Sequence, residues 1–227
     1  MSKIKNTDPE ELLKKLDGSQ RKLYDSIIDN PITFCNAKAG TGKTTVATLA
    51  AFDLLNKGIV SKIYYIRFID ELNQSLGFLP GEIGDKEEIY FNPFFDACIE
   101  LGIGKDRLYS NYVNNELVIM CTTANLRGGN IKDSAVIIDE AQNGGFKDFK
   151  LVLTRLDDKC HCAVMGHTDQ VDNHNCVKER AFMGYMEHFN KKDWCQVVHL
   201  TRNYRGKLSQ WADCLMIDKN YNYHSEG

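Results

Sequence analysis

An apolar run, Ile32-Thr33-Phe34-Cys35, passes within one residue into Ala37-Lys38-Ala39-Gly40-Thr41-Gly42-Lys43-Thr44-Thr45, and an apolar-rich stretch then continues to Asn56. Read in order, this is a buried strand, a tight glycine-bearing loop and a helix. A strand that feeds directly into a helix packs back onto its own sheet through a right-handed crossover, so the order commits the chain to parallel α/β architecture. The loop narrows the choice further. Gly40 and Gly42 let consecutive backbone N–H groups turn inward as an anion nest, backed by the positive end of the helix. The spacing Ala37-x-x-x-x-Gly42-Lys43-Thr44 is that of a phosphate loop for a nucleoside triphosphate. In such a loop Lys43 reaches the β- and γ-phosphates and the Thr44 hydroxyl ligates Mg²⁺. The expected cofactors are therefore ATP and Mg²⁺, held by Ala39, Gly40, Thr41, Gly42, Lys43, Thr44 and Thr45. Ala37 stands where the strict pattern has glycine, which is tolerable if its φ is negative.

The remaining pattern repeats the strand–helix alternation. Asp8-Pro9-Glu10-Glu11 opens a first helix, Gly18 breaks it, and Ser19 is expected to cap a second helix running to about Asp29. Val46, Leu49 and Leu54-Leu55 place the apolar side of the helix after the loop broadly on one face. Further strands are expected at Ile59-Val60 with Ile63–Ile66, at Leu117–Met120, Ala135–Ile138, His161–Met165 and Val197–Leu200. The fold class is α/β: a single P-loop NTPase (RecA-like) domain with a doubly wound, mainly parallel sheet and helices on both faces. Residues 1–18 read as an N-terminal helix or extension and 19–227 as the domain, with a less regular insertion near 68–112.

The strand Val136-Ile137-Ile138 ends in Asp139-Glu140, which delivers two carboxylates to the ligand edge of the sheet. Asp139 is the candidate for holding Mg²⁺ through water, and Glu140 the candidate general base for an attacking water. Gln20, one helix upstream of the phosphate-loop strand, carries a carboxamide that can donate to and accept from an adenine edge at once.

Composition sets limits. Lys and Arg number 28 against 31 Asp and Glu, a net charge of −3, so any polynucleotide site must be a local basic strip. Met1 to Lys15 has no apolar core between its charges, so no signal peptide is expected, and no uncharged run is long enough for a bilayer. Eight cysteines in such a chain read as reduced thiols of a cytoplasmic protein, several of them inside strands (Cys35, Cys121, Cys162).

These residues resemble the PhoH-like ATPase family, related to the ATPase core of superfamily-one helicases. Gln20 with Tyr24, the phosphate loop, Arg67, Leu76-Gly77-Phe78-Leu79-Pro80-Gly81, Leu126-Arg127-Gly128 and Asp139-Glu140-Ala141-Gln142-Asn143 carry the resemblance, in that order. Leu153-Thr154-Arg155-Leu156 and Gly166-x-x-x-Gln170-x-Asp172 extend it, so that it spans roughly residues 16–217. It implies that Gln170 senses the γ-phosphate or positions the water. His167 stands where the family has Asp, which bears on contacts behind the site. Leu200-Thr201-Arg202-Asn203-Tyr204-Arg205 resembles the helicase Asn-Tyr-Arg motif, which makes Arg205 the γ-phosphate contact with Arg202 behind it. The resemblance further implies single-stranded RNA or DNA as partner, and a homo-oligomer, conceivably a hexameric ring. Arg67, Arg127, Arg155 and Arg202 are its candidates for nucleic acid or for a contact in trans. The residues before the core are too few for a nuclease domain, so no nuclease activity is expected.

Two other signals are weighed and set aside. Cys160-His161-Cys162 with His167, His174 and Cys176 suggests zinc, but a one-residue gap across a strand leaves little room to chelate. Basic and aromatic residues cluster around Lys62, Tyr64, Tyr65, Arg67 and Phe68, and around Lys105, Arg107, Tyr109 and Tyr112. Base stacking and buried strand tyrosines explain them equally. The leading expectation is a Mg²⁺-ATP hydrolase coupled to single-stranded nucleic acid. The alternatives are a phosphotransferase of thymidine-kinase type, which also joins a phosphate loop to an Asp-Glu-Ala-Gln strand, and an ATP-gated assembly scaffold.

Overall fold

A computed structural model of the chain describes residues 9–69, 89–123, 125–126, 129–168, 180–213, 215–217 and 223–225. Asp8, Leu76–Gly81, Arg127, Gly128, Gln170, Asp172, His174 and Cys176 lie outside the described residues.

Six strands form one parallel sheet: β1 (Ile32–Ala37), β2 (Lys62–Arg67), β3 (Val118–Thr122), β4 (Ser134–Asp139), β5 (His161–Gly166) and β6 (Cys195–Leu200). Their order is β3-β2-β4-β5-β1-β6, and every pairing is parallel. This is the doubly wound P-loop NTPase arrangement. Parallel strands that are covered on both sides carry apolar residues at successive positions. β4 does so, with Ser134 through Asp139 all buried. Ala135 and Ile137 point into one core cluster and Val136 and Ile138 into the other, and β5 divides likewise between Ala163/Met165 and Cys162/Val164.

One face carries α2 (Gly18–Asp29), α3 (Lys43–Asn56), α4 (Asn92–Glu100) and the short α5 (Lys105–Leu108), with α1 (Pro9–Lys15) at their margin. The other face carries α6 (Phe146–Leu153) and α7 (Ala181–Phe189), whose Phe149, Phe182 and Phe189 pack around Phe34 and Phe68. α3 is buried nearly all round rather than on one side. It lies between the sheet, α2 and α4, and its small residues Ala47, Ala50 and Ala51 allow that close approach.

Several local expectations need correction. Asp17, not Ser19, caps α2: its carboxylate accepts from the N–H of Ser19 and of Gln20 (both 2.8 Å), while Gln20 Oε1 accepts the Asp17 N–H (3.2 Å). That reciprocal box satisfies more orphan groups than a serine hydroxyl can. Gly18 consequently opens α2 instead of only ending α1. Ile59 and Val60 belong to the turn before β2, where only Val60 is buried. The described part of the 68–112 segment is regular, comprising a 3₁₀ turn at Ile89–Phe91, α4, α5 and a π-turn at Tyr109–Val113. Phe91, Phe94, Phe95, Cys98 and Leu108 anchor it in the core, an amphipathicity that its glycines and prolines masked in the sequence. A final helix α8 (Lys207–Asp213) and a small antiparallel pair, β7 (Leu215–Ile217) with β8 (Tyr223–Ser225), were not anticipated. Among the described residues, no helix is long and apolar enough to cross a membrane.

Candidate nucleotide site

β1 and β4 are separated by β5, so the loop after β1 and the acids after β4 emerge on the same carboxyl edge, roughly 10 Å apart. The first turn of α3 spans that gap. Gly40 and Gly42 both take positive φ (76° and 78°), the turn that aims the loop N–H groups inward, whereas Ala37 completes β1 and keeps negative φ. The loop is held from two sides. Gln20 Nε2 donates to the Thr41 carbonyl (3.0 Å), and the Thr41 hydroxyl donates to the Lys38 carbonyl (2.9 Å). A methyl at Gly42 would stand 2.8 Å from that Gln20 nitrogen. On the other side the Tyr204 N–H donates to the Gly40 carbonyl (2.8 Å). A methyl at Gly40 would meet Asn203 Oδ1 at 2.7 Å and Arg205 Cγ at 2.8 Å.

The Asn-Tyr-Arg segment is therefore docked on the phosphate loop of its own chain. Asn203 Oδ1 accepts the Arg205 N–H (2.8 Å), and the Tyr204 hydroxyl donates to Asp17 Oδ2 (2.6 Å). That hydroxyl is the main reason the Asp17 carboxyl is lowered to about 2, and the same bond raises the phenol.

The acidic side is equally constrained. Asp139, which ends β4, is 1% exposed. Its Oδ2 accepts from the Tyr65 hydroxyl (2.7 Å) and the Thr44 hydroxyl (3.3 Å), and its Oδ1 accepts the Glu140 N–H (3.0 Å). Burial, then the charge of Asp139, pushes the Tyr65 phenol well above its ordinary range, so it stays a donor. Glu140 is left-handed (φ 52°, ψ 40°), a conformation that costs a non-glycine residue on the order of 1–3 kcal/mol. It turns the half-buried Glu140 side chain toward the cleft. Gln142 Nε2 donates to Glu140 Oε2 (2.6 Å), and Gln142 Oε1 accepts the His167 N–H at the end of β5 (3.2 Å).

Gln20, Ala39, Gly40, Gly42, Lys43, Thr44, Thr45, Asp139, Glu140 and Arg205 all line one cleft of about 580 Å³. The cleft is also lined by Leu12 of α1, by Leu16 just after it, and by Asp96, Ala97 and Glu100 of α4. Thr41 is buried behind the loop. Among the described residues, neither Lys43 nor Arg205 has a carboxylate partner. A nest of N–H groups with two uncompensated cations fits a polyanion. Thr44 Oγ1 and Asp139 Oδ2 are hard oxygen donors held together, the chemistry Mg²⁺ prefers. Gln20 uses one N–H and one lone pair within the chain, which leaves one of each for a ligand.

Of the described candidates, Arg67, Arg155 and Arg202 do not line the cleft. Arg67 ends β2 and donates to the Tyr90 carbonyl (3.0 Å). Arg155 lies behind α6 and donates to the Leu126 carbonyl (2.9 Å), and the Arg202 guanidinium lies 5.0 Å from the Tyr204 ring. Of the Cys/His group, Cys160 donates to the Ile131 carbonyl (3.4 Å), His161 Nδ1 lies 3.0 Å from the Ile27 carbonyl, and Cys162 is buried among apolar neighbours. Residue reading missed Tyr65, Gln142 and Asp17 as parts of the site. Gln142 was within reach, two residues from the base, but the partners of Tyr65 and Asp17 are 74 and 187 positions away.

The family model described as "PhoH-like protein" matches residues 13–214. The chain belongs to the PhoH-like family. A PhoH-like protein of Mycobacterium leprae is 30% identical over 174 residues, which cover 76% of this chain and 49% of that protein. A PhoH-like protein of Bacillus subtilis is 33% identical over 159 residues, 70% of this chain and 49% of its own length. The chain thus spans about half the length of these PhoH-like relatives. Among solved structures, the Hef helicase domain of Pyrococcus furiosus aligns with a TM-score of 0.46 at 13% identity, covering 85% of this chain and 40% of that one. The SWI2/SNF2 ATPase core of Sulfolobus solfataricus, in complex with dsDNA, aligns at 0.43 and 15%, covering 82% and 44%.

Proposed function

We propose that this chain hydrolyses Mg²⁺-ATP to ADP and phosphate and couples the reaction to single-stranded RNA or DNA. The observation that carries the first half is the cleft itself: a glycine nest, two cations without a carboxylate partner among the described residues, and two differently held carboxylates on one sheet edge. The loop N–H groups and Lys43 bind the β- and γ-phosphates, and Arg205, which lies beside Gly40 of the loop, contacts the γ-phosphate. Thr44, and Asp139 through water, would hold Mg²⁺, which would neutralise phosphate charge. Glu140 accepts a proton from the attacking water. The new P–O bond forms on the γ-phosphorus as the bond to the bridging β,γ-oxygen breaks, and the displaced ADP oxygen takes up the charge beside Lys43. Gln142 occupies Glu140 Oε2, which leaves Oε1 to orient the water. Gln170, on the strength of the family resemblance, is assigned to sensing the γ-phosphate. Lys43, Glu140, Gln170 and Arg205 form the catalytic set.

The nucleic-acid half rests on the likeness of Arg202–Arg205 to the helicase Asn-Tyr-Arg motif, and here that segment touches the phosphate loop directly. Movement of bound polymer against this segment is transmitted to Gly40 through one backbone bond. A homo-oligomer, of which a hexameric ring is one form, is part of the same reading. Light scattering with and without ATP measures it.

The test is steady-state phosphate release from Mg²⁺-ATP with and without single-stranded RNA, single-stranded DNA or thymidine. Stimulation by one polymer supports the proposal and identifies the partner. Turnover only with thymidine, with a phosphorylated product, contradicts it in favour of a kinase. ATP-dependent assembly without turnover contradicts it in favour of a scaffold.

A further inference from the structure

We infer that Tyr65 is a positioning residue for the metal carboxylate, and that its hydroxyl sets the affinity of the site for Mg²⁺. The inference rests on the nucleotide-site reading above and deepens it. Asp139 is almost wholly buried, and a buried carboxylate with an unfilled lone pair swings toward whichever donor is nearest. Three donors hold it here: the Glu140 N–H on Oδ1, and the hydroxyls of Thr44 and Tyr65 on Oδ2. Thr44 would offer Mg²⁺ an oxygen lone pair and keep its O–H for Asp139, so its long bond (3.3 Å) would follow the position of the cation. The Tyr65 bond is shorter (2.7 Å), comes from within the sheet and has no part in ligation, so it persists. Of the two side-chain donors to Asp139 among the described residues, Tyr65 is the closer one and the one that fixes how Asp139 faces the cation without ligating it.

The tyrosine is itself immobilised. It is 0% exposed on β2, its ring stacks on Phe94 of α4 at 4.8 Å, and Phe91 meets it edge-on at 6.2 Å. The segment that reaches over the cleft with Asp96 and Glu100 therefore also packs against the ring whose hydroxyl holds Asp139. Groups that orient metal ligands without touching the metal commonly change metal affinity by about 10-fold or more when removed.

Tyr65→Phe keeps the ring and deletes the bond. Binding of a fluorescent ATP analogue is measured by anisotropy, first in EDTA and then across a Mg²⁺ titration, for wild type, Tyr65→Phe and Phe94→Leu. The expected result is an EDTA affinity within about 2-fold of wild type for Tyr65→Phe, with the Mg²⁺ midpoint raised on the order of 10-fold. Phe94→Leu loosens the stack but keeps the hydroxyl, so its midpoint shifts less than that of Tyr65→Phe. An unchanged midpoint in Tyr65→Phe overturns the inference. So does equal weakening with and without metal, or an equal shift in Phe94→Leu, since either makes the tyrosine a packing residue. If wild type binds the analogue but ignores Mg²⁺, the metal role of Asp139 fails and the inference with it. If wild type does not bind the analogue, the nucleotide reading itself fails.

Discussion

Both ends of β4 are marked by a left-handed residue that is not glycine: Asp133 before the strand (φ 49°) and Glu140 after it (φ 52°). At Asp133 the conformation is fully supported by its neighbours. Its N–H donates to Asp157 Oδ1 (3.1 Å), and its carbonyl accepts from the Ser61 N–H (2.8 Å) and hydroxyl (3.0 Å). The surrounding loops close on one another in the same way, with Ile131 bonded to both Arg155 and Asp157 and Arg155 closing on Leu126. Aspartate is also among the residues that tolerate this region. Glutamate is not, and at Glu140 the support is an N–H held by the neighbouring Asp139 carboxylate and a side chain steered by Gln142. The amino edge is a satisfied corner. The carboxyl edge stores strain and, among the described residues, gives Lys43 and Arg205 no carboxylate partner, which suits a site for an anionic ligand.

The contrast can be broken by substitution. The largest effect is expected at Lys43→Ala, which weakens ATP-analogue binding by at least about 100-fold because it removes the ammonium charge from the nest. Near-normal affinity by calorimetry contradicts the assignment. At the amino edge, Arg155→Ala should cost about 1–2 kcal/mol in urea unfolding, since it orphans the Leu126 carbonyl, and should leave ATP turnover unchanged. Loss of turnover without loss of stability makes Arg155 a functional contact instead.

A sharper pair is Glu140→Gly with Asp133→Gly. Relief of the left-handed strain should leave Glu140→Gly as stable as wild type or up to about 1 kcal/mol more so, yet inactive. Asp133→Gly should retain activity with a stability change within about 0.5 kcal/mol. A destabilised Glu140→Gly shows that the strain is illusory. The smallest effect concerns Asp17. Its carboxyl is lowered to about 2, chiefly by Tyr204, so the bond contributes stability above the ordinary value of 3.8 and loses it as pH falls toward 2. Because Asp17 is half-exposed, the contribution is small. Tyr204→Phe should flatten the melting-temperature profile between pH 4 and 2 relative to wild type, and parallel profiles refute the link.

The site was legible where its chemistry is contiguous. Gly40 to Thr45 needs only its own order, and Asp139-Glu140 is announced by the strand that precedes it. Both faces of the sheet followed from unbroken apolar runs in β4 and β5. What escaped depends on strand order and on pairings between distant residues. Tyr65 reads as one more strand aromatic until β2 is known to lie beside β4, where it pairs with Ile137 two residues before Asp139. Ser19 offers a capping hydroxyl, but Gln20 completes a box with Asp17 and reaches the phosphate loop. The left-handed backbone at Glu140 has no sequence signature, because glutamate is not chosen for that conformation but held in it.

The most direct measurement is single-turnover phosphate release, with ATP-analogue affinity measured in parallel, for wild type and Glu140→Gln. The carboxamide keeps the shape and removes the base. The account predicts affinity within about 2-fold of wild type and a chemical step slowed by about 10²–10³-fold. A chemical step that survives the substitution, at unchanged affinity, contradicts the claim that Glu140 is the base of an ATP-hydrolysing site.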